Sequence, residues 1–247
     1  MYKFIEKYKF GTFDIEGVKI PKVLLGASPF MGAGQFGIKA LSYYTKFFLN
    51  PKNIKEIVLE CLRIGVNAVQ LFGYPQIIEP IKEAMKESST EIFVLGSIGI
   101  GNLKEEIELM KGVGAKAVVI HAALSDTNPN NIRGQLRNLK NLGFVTGIAT
   151  HAPGVTIPLA EGIEEIDLIL APVNKIGRYM EPDFNSSIEA VKKSSKKIIA
   201  IKPLAAGQLE PREAFEFLSD IVDGVAVGVT SKEEARETFA TAREFFK

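Results

Sequence analysis

The chain has 247 residues, 46% of them hydrophobic and 24% charged, with 30 Lys and Arg against 29 Asp and Glu. So even a charge balance offers no broad field to nucleic acid or an anionic membrane, and a small, near-neutral molecule is the expected partner. A single cysteine, Cys61, excludes an intrachain disulfide and any iron–sulfur cluster or zinc site made of cysteines alone.

Met1–Phe10 alternates Lys with aromatic residues and lacks the apolar core of a signal peptide, and no later apolar run reaches the roughly 18 residues of a membrane span. A cytoplasmic protein is expected. Abundant Lys, Glu and Ile without Trp suits a thermophile. Tyr2–Lys9 and Thr12–Pro21 alternate apolar and polar residues about Gly11 and Glu16-Gly17, which predicts a hairpin in residues 1–22 able to cap the bottom of the domain.

Eight apolar runs follow: Val23–Phe30, Ala68–Gly73, Ile92–Gly99, Ala117–Ala122, Phe144–His151, Leu168–Asn174, Ile198–Leu204 and Gly224–Val229. Each reads as a buried parallel strand. Between them lie helical segments, the first marked by Ile54, Ile57, Val58, Cys61 and Leu62, with Asn50 as N-cap, Pro51 at the first position and Gly65 at the end. The later ones are Gln76–Glu87, Leu103–Gly112, Asn130–Asn141, Thr156–Glu165, Phe184–Ser194, Arg212–Ile221 and Lys232–Phe246. Strand then helix, eight times over, in a length close to the typical ~250 residues, predicts one α/β domain spanning 1–247, a TIM (β/α)8 barrel. After the first strand, residues 31–50 read as a long aromatic loop, a lid or a small satellite core. Its GAGQFG (Gly32–Gly37) matches the dinucleotide fingerprint in form only, because the chain runs on through Leu41–Phe48 before Asn50-Pro51 starts a helix, where the fingerprint needs a helix opening directly from the glycines.

In this fold chemistry collects at the C-terminal strand ends. Those ends carry Ser28, Gln70, Ser97, His121, His151, Asn174, Lys202 and Thr230, where a plain core would continue apolar. The two histidines are the only ones present; each can serve as acid, base, donor, metal ligand or structural rim residue. A metal site needs further ligands, and Asp126 alone is near, so no metal is expected. Lys202 can form a Schiff base, hold an anion or snorkel outward. Ser231 can cap the last helix or offer phosphate-binding amides, which Glu233 and Glu234 oppose.

These segments resemble those of the aldo-keto reductases. GVNAVQLFGYPQIIEPIKEAM (Gly65–Met85), VVIHA ending at His121, GIATHAP, IAIKPLAAGQL and VDGVAVGVTSKEEARETFATA follow that family's order along most of the chain. The resemblance implies a barrel with an N-terminal hairpin, a catalytic His at His121, and NAD(H) or NADP(H) near Thr150, His151, Asn174, Gly228, Thr230 and Ser231. It also implies a small carbonyl substrate beside Ser28, Phe30, Gln70 and Ser97. The family's Asp position is Gln70, its Lys position Ile98, and its Tyr position Pro75 with Tyr74 one residue earlier. Losing that cation and its partner removes the tuning of a phenol whose free pKa is about 10. Gly228 and Glu234 stand where NADPH-specific members carry basic residues, which favours NADH. The resulting expectation is an oxidoreductase in which His121 polarises the carbonyl and Tyr74 or Lys202 gives the proton. Cofactor-independent lyase or isomerase chemistry using Lys202 and His121, and a non-catalytic ligand-binding barrel, are the alternatives.

Overall fold

The computed structural model describes residues 10–247, so the expected strand Tyr2–Lys9 lies outside the described residues. Strands β1 (Thr12–Ile15) and β2 (Val18–Pro21) form an antiparallel hairpin whose turn uses left-handed Glu16 and Gly17. Eight parallel strands follow: β3 (Val23–Gly26), β4 (Ala68–Phe72), β5 (Phe93–Ile98), β6 (Ala117–Ile120), β7 (Val145–Ala149), β8 (Leu168–Pro172), β9 (Lys197–Ile201) and β10 (Gly224–Val227). They pair in chain order, and β10 joins β3 to close the barrel. Each predicted run carries one strand, and every strand ends before its run does.

Alternation along the strands divides the core into two layers. Leu24, Ala68, Leu95, Val119, Val145, Leu170 and Ile199 fill the interior, and Ile15 and Ile20 of the hairpin join that cluster, plugging the barrel from below. The neighbours Leu25, Val69, Val94, Val118, Ile148, Ile169 and Ile198 face outward to the helices.

The helices are α1 (Ala40–Tyr43), α2 (Lys52–Arg63), α3 (Pro75–Ser88), α4 (Leu103–Gly112), α5 (Ala122–Ser125), α6 (Arg133–Asn141), α7 (Pro153–Ala160), α8 (Phe184–Lys193), α9 (Pro211–Leu218) and α10 (Lys232–Phe245). All five residues of the predicted α2 stripe are buried, and burial pushes the Cys61 thiol far up, so it packs as an inert apolar group. The start of α2 differs from expectation. Pro51 takes the N-cap position without a side-chain cap, while Asn50 donates to the Thr45 carbonyl at 2.7 Å. Helix α7 also begins earlier than expected, at Pro153, because proline fits the first helical position whatever the apolar pattern beyond it.

The segment expected as a loop over 31–50 is largely helical: 3-10 turns at Ser28–Met31 and Gly34–Lys39, then α1 and a π turn at Tyr44–Phe48. Its anchor is a buried ring pair, Phe30 and Phe47, with centroids 5.2 Å apart, which draws the segment onto the main core. Among the described residues no helix is long and apolar enough to cross a membrane.

Candidate active site

Strand alternation decides which rim residues look into the barrel mouth. Gln70 continues the inward set of Ala68, Ser97 that of Leu95, His121 that of Val119, and His151 that of Ala149; all four line one cavity of about 510 Å³. Thr150, one residue off this register, turns outward with Ile148 and is fully buried behind the barrel wall. Lys202 shares the outward parity of Ile198 and Ala200, yet it too lines the cavity. Its backbone is left-handed, with φ +53°, which ends the alternation and turns the side chain back over the mouth. A non-glycine residue in that region is held there by its surroundings against local strain.

Around this ring the side chains are fixed. His121 and His151 meet edge to face at 5.5 Å, and Phe72 lies 6.3 Å from His121. The Ala123 amide donates to His121 Nδ1 at 3.1 Å, which leaves the ring proton on Nε2. Burial, then the nearby His151, lowers the His121 pKa to about 4. His151 is lowered by burial and then by Lys202, and Lys202 is itself lowered by burial against the opposing pull of Glu181 and Asp126. Near neutral pH both imidazoles are therefore uncharged. The Lys202 ammonium sits 5.1 Å over the Tyr179 ring, and Tyr179 donates its hydroxyl proton to the Gln35 carbonyl at 2.7 Å. This bridge ties the chain beyond β8 to the chain beyond β3 across the opening. Ser97 Oγ is buried and has no hydrogen-bond partner among the described residues.

Asp126, set aside in the sequence as a lone carboxylate, organises the β7 end. It accepts from Thr150 Oγ1 at 2.5 Å, the His151 amide at 2.8 Å and Thr156 Oγ1 at 2.8 Å. Glu106 of α4 does the same for the chain after β5, accepting from the Gly99 and Gly101 amides at 2.7 and 3.2 Å. Neither role is a local sequence pattern: each carboxylate is engaged by amides or hydroxyls that the folded loops bring to it. Tyr179 reaches the mouth in the same way, through its contact with Gln35 far away in the chain.

Several expected site residues lie elsewhere. Tyr74 starts α3 and packs edge-on against Phe48, with ring centroids 5.7 Å apart, so it does not line the cavity. Phe30 is buried against Phe47. Asn174 is committed to the backbone, donating to the Arg178 carbonyl at 2.8 Å and accepting from the Arg178 amide at 2.9 Å. Ile98 is fully buried on the outward side of β5.

A second cavity, about 360 Å³, adjoins the first through Ser28, Gln35, Gln70 and Lys202 and runs toward the start of α10 past Gly228 and Thr230. Glycine is needed at 228 because a Cβ there would lie 2.6 Å from the Pro29 ring. At the far end Ser231 caps α10, accepting from the Glu234 amide at 3.0 Å, and Glu234 reaches back to the Thr230 amide and hydroxyl, each at 2.7 Å. This is a capping box shifted by one residue, and it fills with a carboxylate the donors that an anion would use. Among the described residues no group of three or more His, Cys, Asp or Glu is placed to hold a metal ion.

Solved structures similar to this one include proteins described as aldo-keto reductases. A protein from Pseudomonas aeruginosa, provisionally described as an aldo-keto reductase, aligns with a TM-score of 0.68 at 18% identity, covering 94% of this chain and 93% of that one. An aldo-keto reductase from Brucella melitensis gives 0.67 at 14% identity, covering 95% and 92%. A protein provisionally described as 2,5-diketo-D-gluconic acid reductase B gives 0.70 at 13% identity, covering 97% and 88%. At these identities the shared property is the fold. No protein-family profile matches the sequence, and no curated protein does.

Proposed function

We propose that this protein is a divergent oxidoreductase of aldo-keto reductase type, acting on a small carbonyl compound at the C-terminal face of its barrel. The observation that carries this reading is His121, a neutral imidazole with its proton on Nε2, lining a cavity at the mouth of a barrel of that fold. Such a ring donates a hydrogen bond to a carbonyl oxygen and polarises it without giving up its proton. Lys202 then serves as the acid. Burial weakens its hold on the ammonium proton, and with Tyr74 turned away and the Tyr179 hydroxyl proton given to the Gln35 carbonyl, Lys202 faces the cavity beside His121 as the proton donor. Ser28, Gln70 and the unpartnered Ser97 hydroxyl position the substrate.

A nicotinamide nucleotide, NADH in preference to NADPH, supplies the hydride when bound. The two adjoining cavities give it room, with His151, Gly228 and Thr230 along their walls. Thr150 and Asn174 act from behind, as braces for the β7 end and for the chain after β8. The fit is good at the barrel mouth and poor beside α10, where Glu234 occupies the Thr230 amide and hydroxyl. NADH preference follows from that carboxylate, which opposes added phosphate charge.

Titration of the protein with NADH and NADPH, followed by nucleotide fluorescence and thermal melting, tests the proposal. Binding raises the melting temperature, since a ligand at about 100 times its Kd stabilises the fold by ~2.7 kcal/mol. Millimolar nucleotide without effect on either signal would remove the oxidoreductase reading.

A further inference from the structure

Lys202 acts above through its ammonium form, but its surroundings also prepare the free amine. It forms no ion pair and no hydrogen bond through Nζ among the described residues, and its Nζ stands 5.1 Å from the centre of the Tyr179 ring. The left-handed backbone commits it to the mouth, where it shares the 510 Å³ cavity with His121 and His151. A lysine placed merely to snorkel would follow the parity of Ile198 and Ala200 outward and find water or a surface carboxylate. Lys202 does neither. Ser97 Oγ, buried, unpartnered and lining the same cavity, independently marks a missing polar ligand.

We propose that Lys202 is a covalent nucleophile that captures a short, hydroxyl-bearing aldehyde or ketone as an imine. The Nζ lone pair forms a bond to the carbonyl carbon while the C=O π pair moves to oxygen, where the His121 Nε2–H stabilises the developing charge. His151, neutral and so carrying an unprotonated ring nitrogen, takes a proton from the now positive nitrogen and returns it to that oxygen. A second transfer lets the C–O bond break and water leave, so amine and carbonyl enter, imine and water emerge, and no oxidant or reductant takes part. Lowering of the lysine pKa by burial favours the attacking form near neutrality. The imine withdraws electrons from the neighbouring carbon, which opens carbon–carbon cleavage or proton transfer there, the chemistry of a lyase or isomerase. Hydroxyl groups on the substrate would meet Ser97, Ser28 and Gln70.

The inference rests on the reading that a small carbonyl compound occupies this cavity, and it is independent of any nicotinamide. The test incubates the intact protein with glycolaldehyde or dihydroxyacetone at neutral pH, reduces samples with cyanoborohydride over time, and locates adducts by peptide mass mapping. Lys202 is expected to be labelled more than about tenfold faster than the exposed Lys104 and Lys192. A Lys202→Met variant should lose the fast adduct while keeping the wild-type circular dichroism. If that variant does not fold, the site-resolved rates within the wild-type protein decide. Labelling of Lys202 no faster than the exposed lysines overturns the proposal. Nucleotide binding without selective labelling overturns it and leaves the oxidoreductase reading standing; selective labelling without nucleotide binding does the reverse.

Discussion

Single residues set the chemistry of the barrel mouth, and one backbone hydrogen bond does more than any other to define His121. Burial first, and then the facing His151, oppose protonation of the ring, whose Nδ1 accepts from the Ala123 amide. The proton resonances of His121 should therefore hold steady as pH falls through the ordinary histidine range of about 6.5 and move only near pH 4. The stability effect has a definite sign. Unfolded His121 binds its proton below about pH 6.5 while the folded ring does not, so the folded state loses stability as pH falls from 6.5 to about 4. A His121→Phe variant should lack this part of the decline, measured by urea unfolding across that window. The types of residue at the rim were legible in the sequence, because polar side chains interrupted apolar runs at His121, His151, Gln70, Ser97 and Lys202. Their orientations were only partly so. Counting parity back from Val145 and Ala149 separates His151 from Thr150, but that count needs the strand boundaries, and the left-handed turn at Lys202 breaks it altogether.

At the scale of elements, the start of α10 shows how a helix terminus can be closed to anions by its own sequence. Ser231 accepts from the first-turn amide of Glu234, and the Glu234 carboxylate accepts from the Thr230 amide and hydroxyl just before the helix. The carboxylate thus strengthens the cap and repels any phosphate that approaches along the second cavity. Glu234→Gln keeps the hydrogen-bonding shape and removes the charge. It should tighten NADH binding several-fold, and tighten NADPH binding more, while lowering stability by about 0.5–1 kcal/mol. Parallel fluorescence titration and urea unfolding measure both; unchanged affinity for both nucleotides would mean that their phosphates lie away from this turn. Other elements were misread for a common reason. The segment 31–50, expected as a long aromatic loop, folds as short 3-10, α and π turns pinned by Phe30 on Phe47. Tyr74 was expected at the substrate, but Phe48 of that same segment offers its ring an apolar face.

Across the whole molecule, closure of the barrel gives the rim its shape and long-range ion pairs tie the outer layer together. Glu165, just before β8, accepts from Arg137 at 2.6 Å and Arg133 at 3.1 Å, both on α6. Those hydrogen bonds hold its carboxyl down to about 2 from an ordinary 4.5. Since the folded pKa is the lower one, this contribution is fully present above about pH 4.5 and disappears as pH falls toward 2. Acid unfolding followed by circular dichroism should show it: Glu165→Gln begins less stable at neutral pH and loses less between pH 4.5 and 2 than the wild type. The Arg side chains remain largely exposed, which limits the size of the effect.

The amino-acid sequence by itself determined the number, order and parallel character of the strands, because burial on both faces demands apolar runs of a length and spacing that little else produces. It also determined that polar residues gather at the C-terminal ends of those runs. Only the tertiary structure decided which of them share a cavity. That choice depends on strand register and on where the ladder stops. It depends too on distant partners: Asp126 holding the β7 end, Tyr179 reaching Gln35, and Phe48 withdrawing Tyr74. Such contacts join residues far apart in the chain, so no local pattern records them; they exist once the barrel has closed and brought its loops side by side.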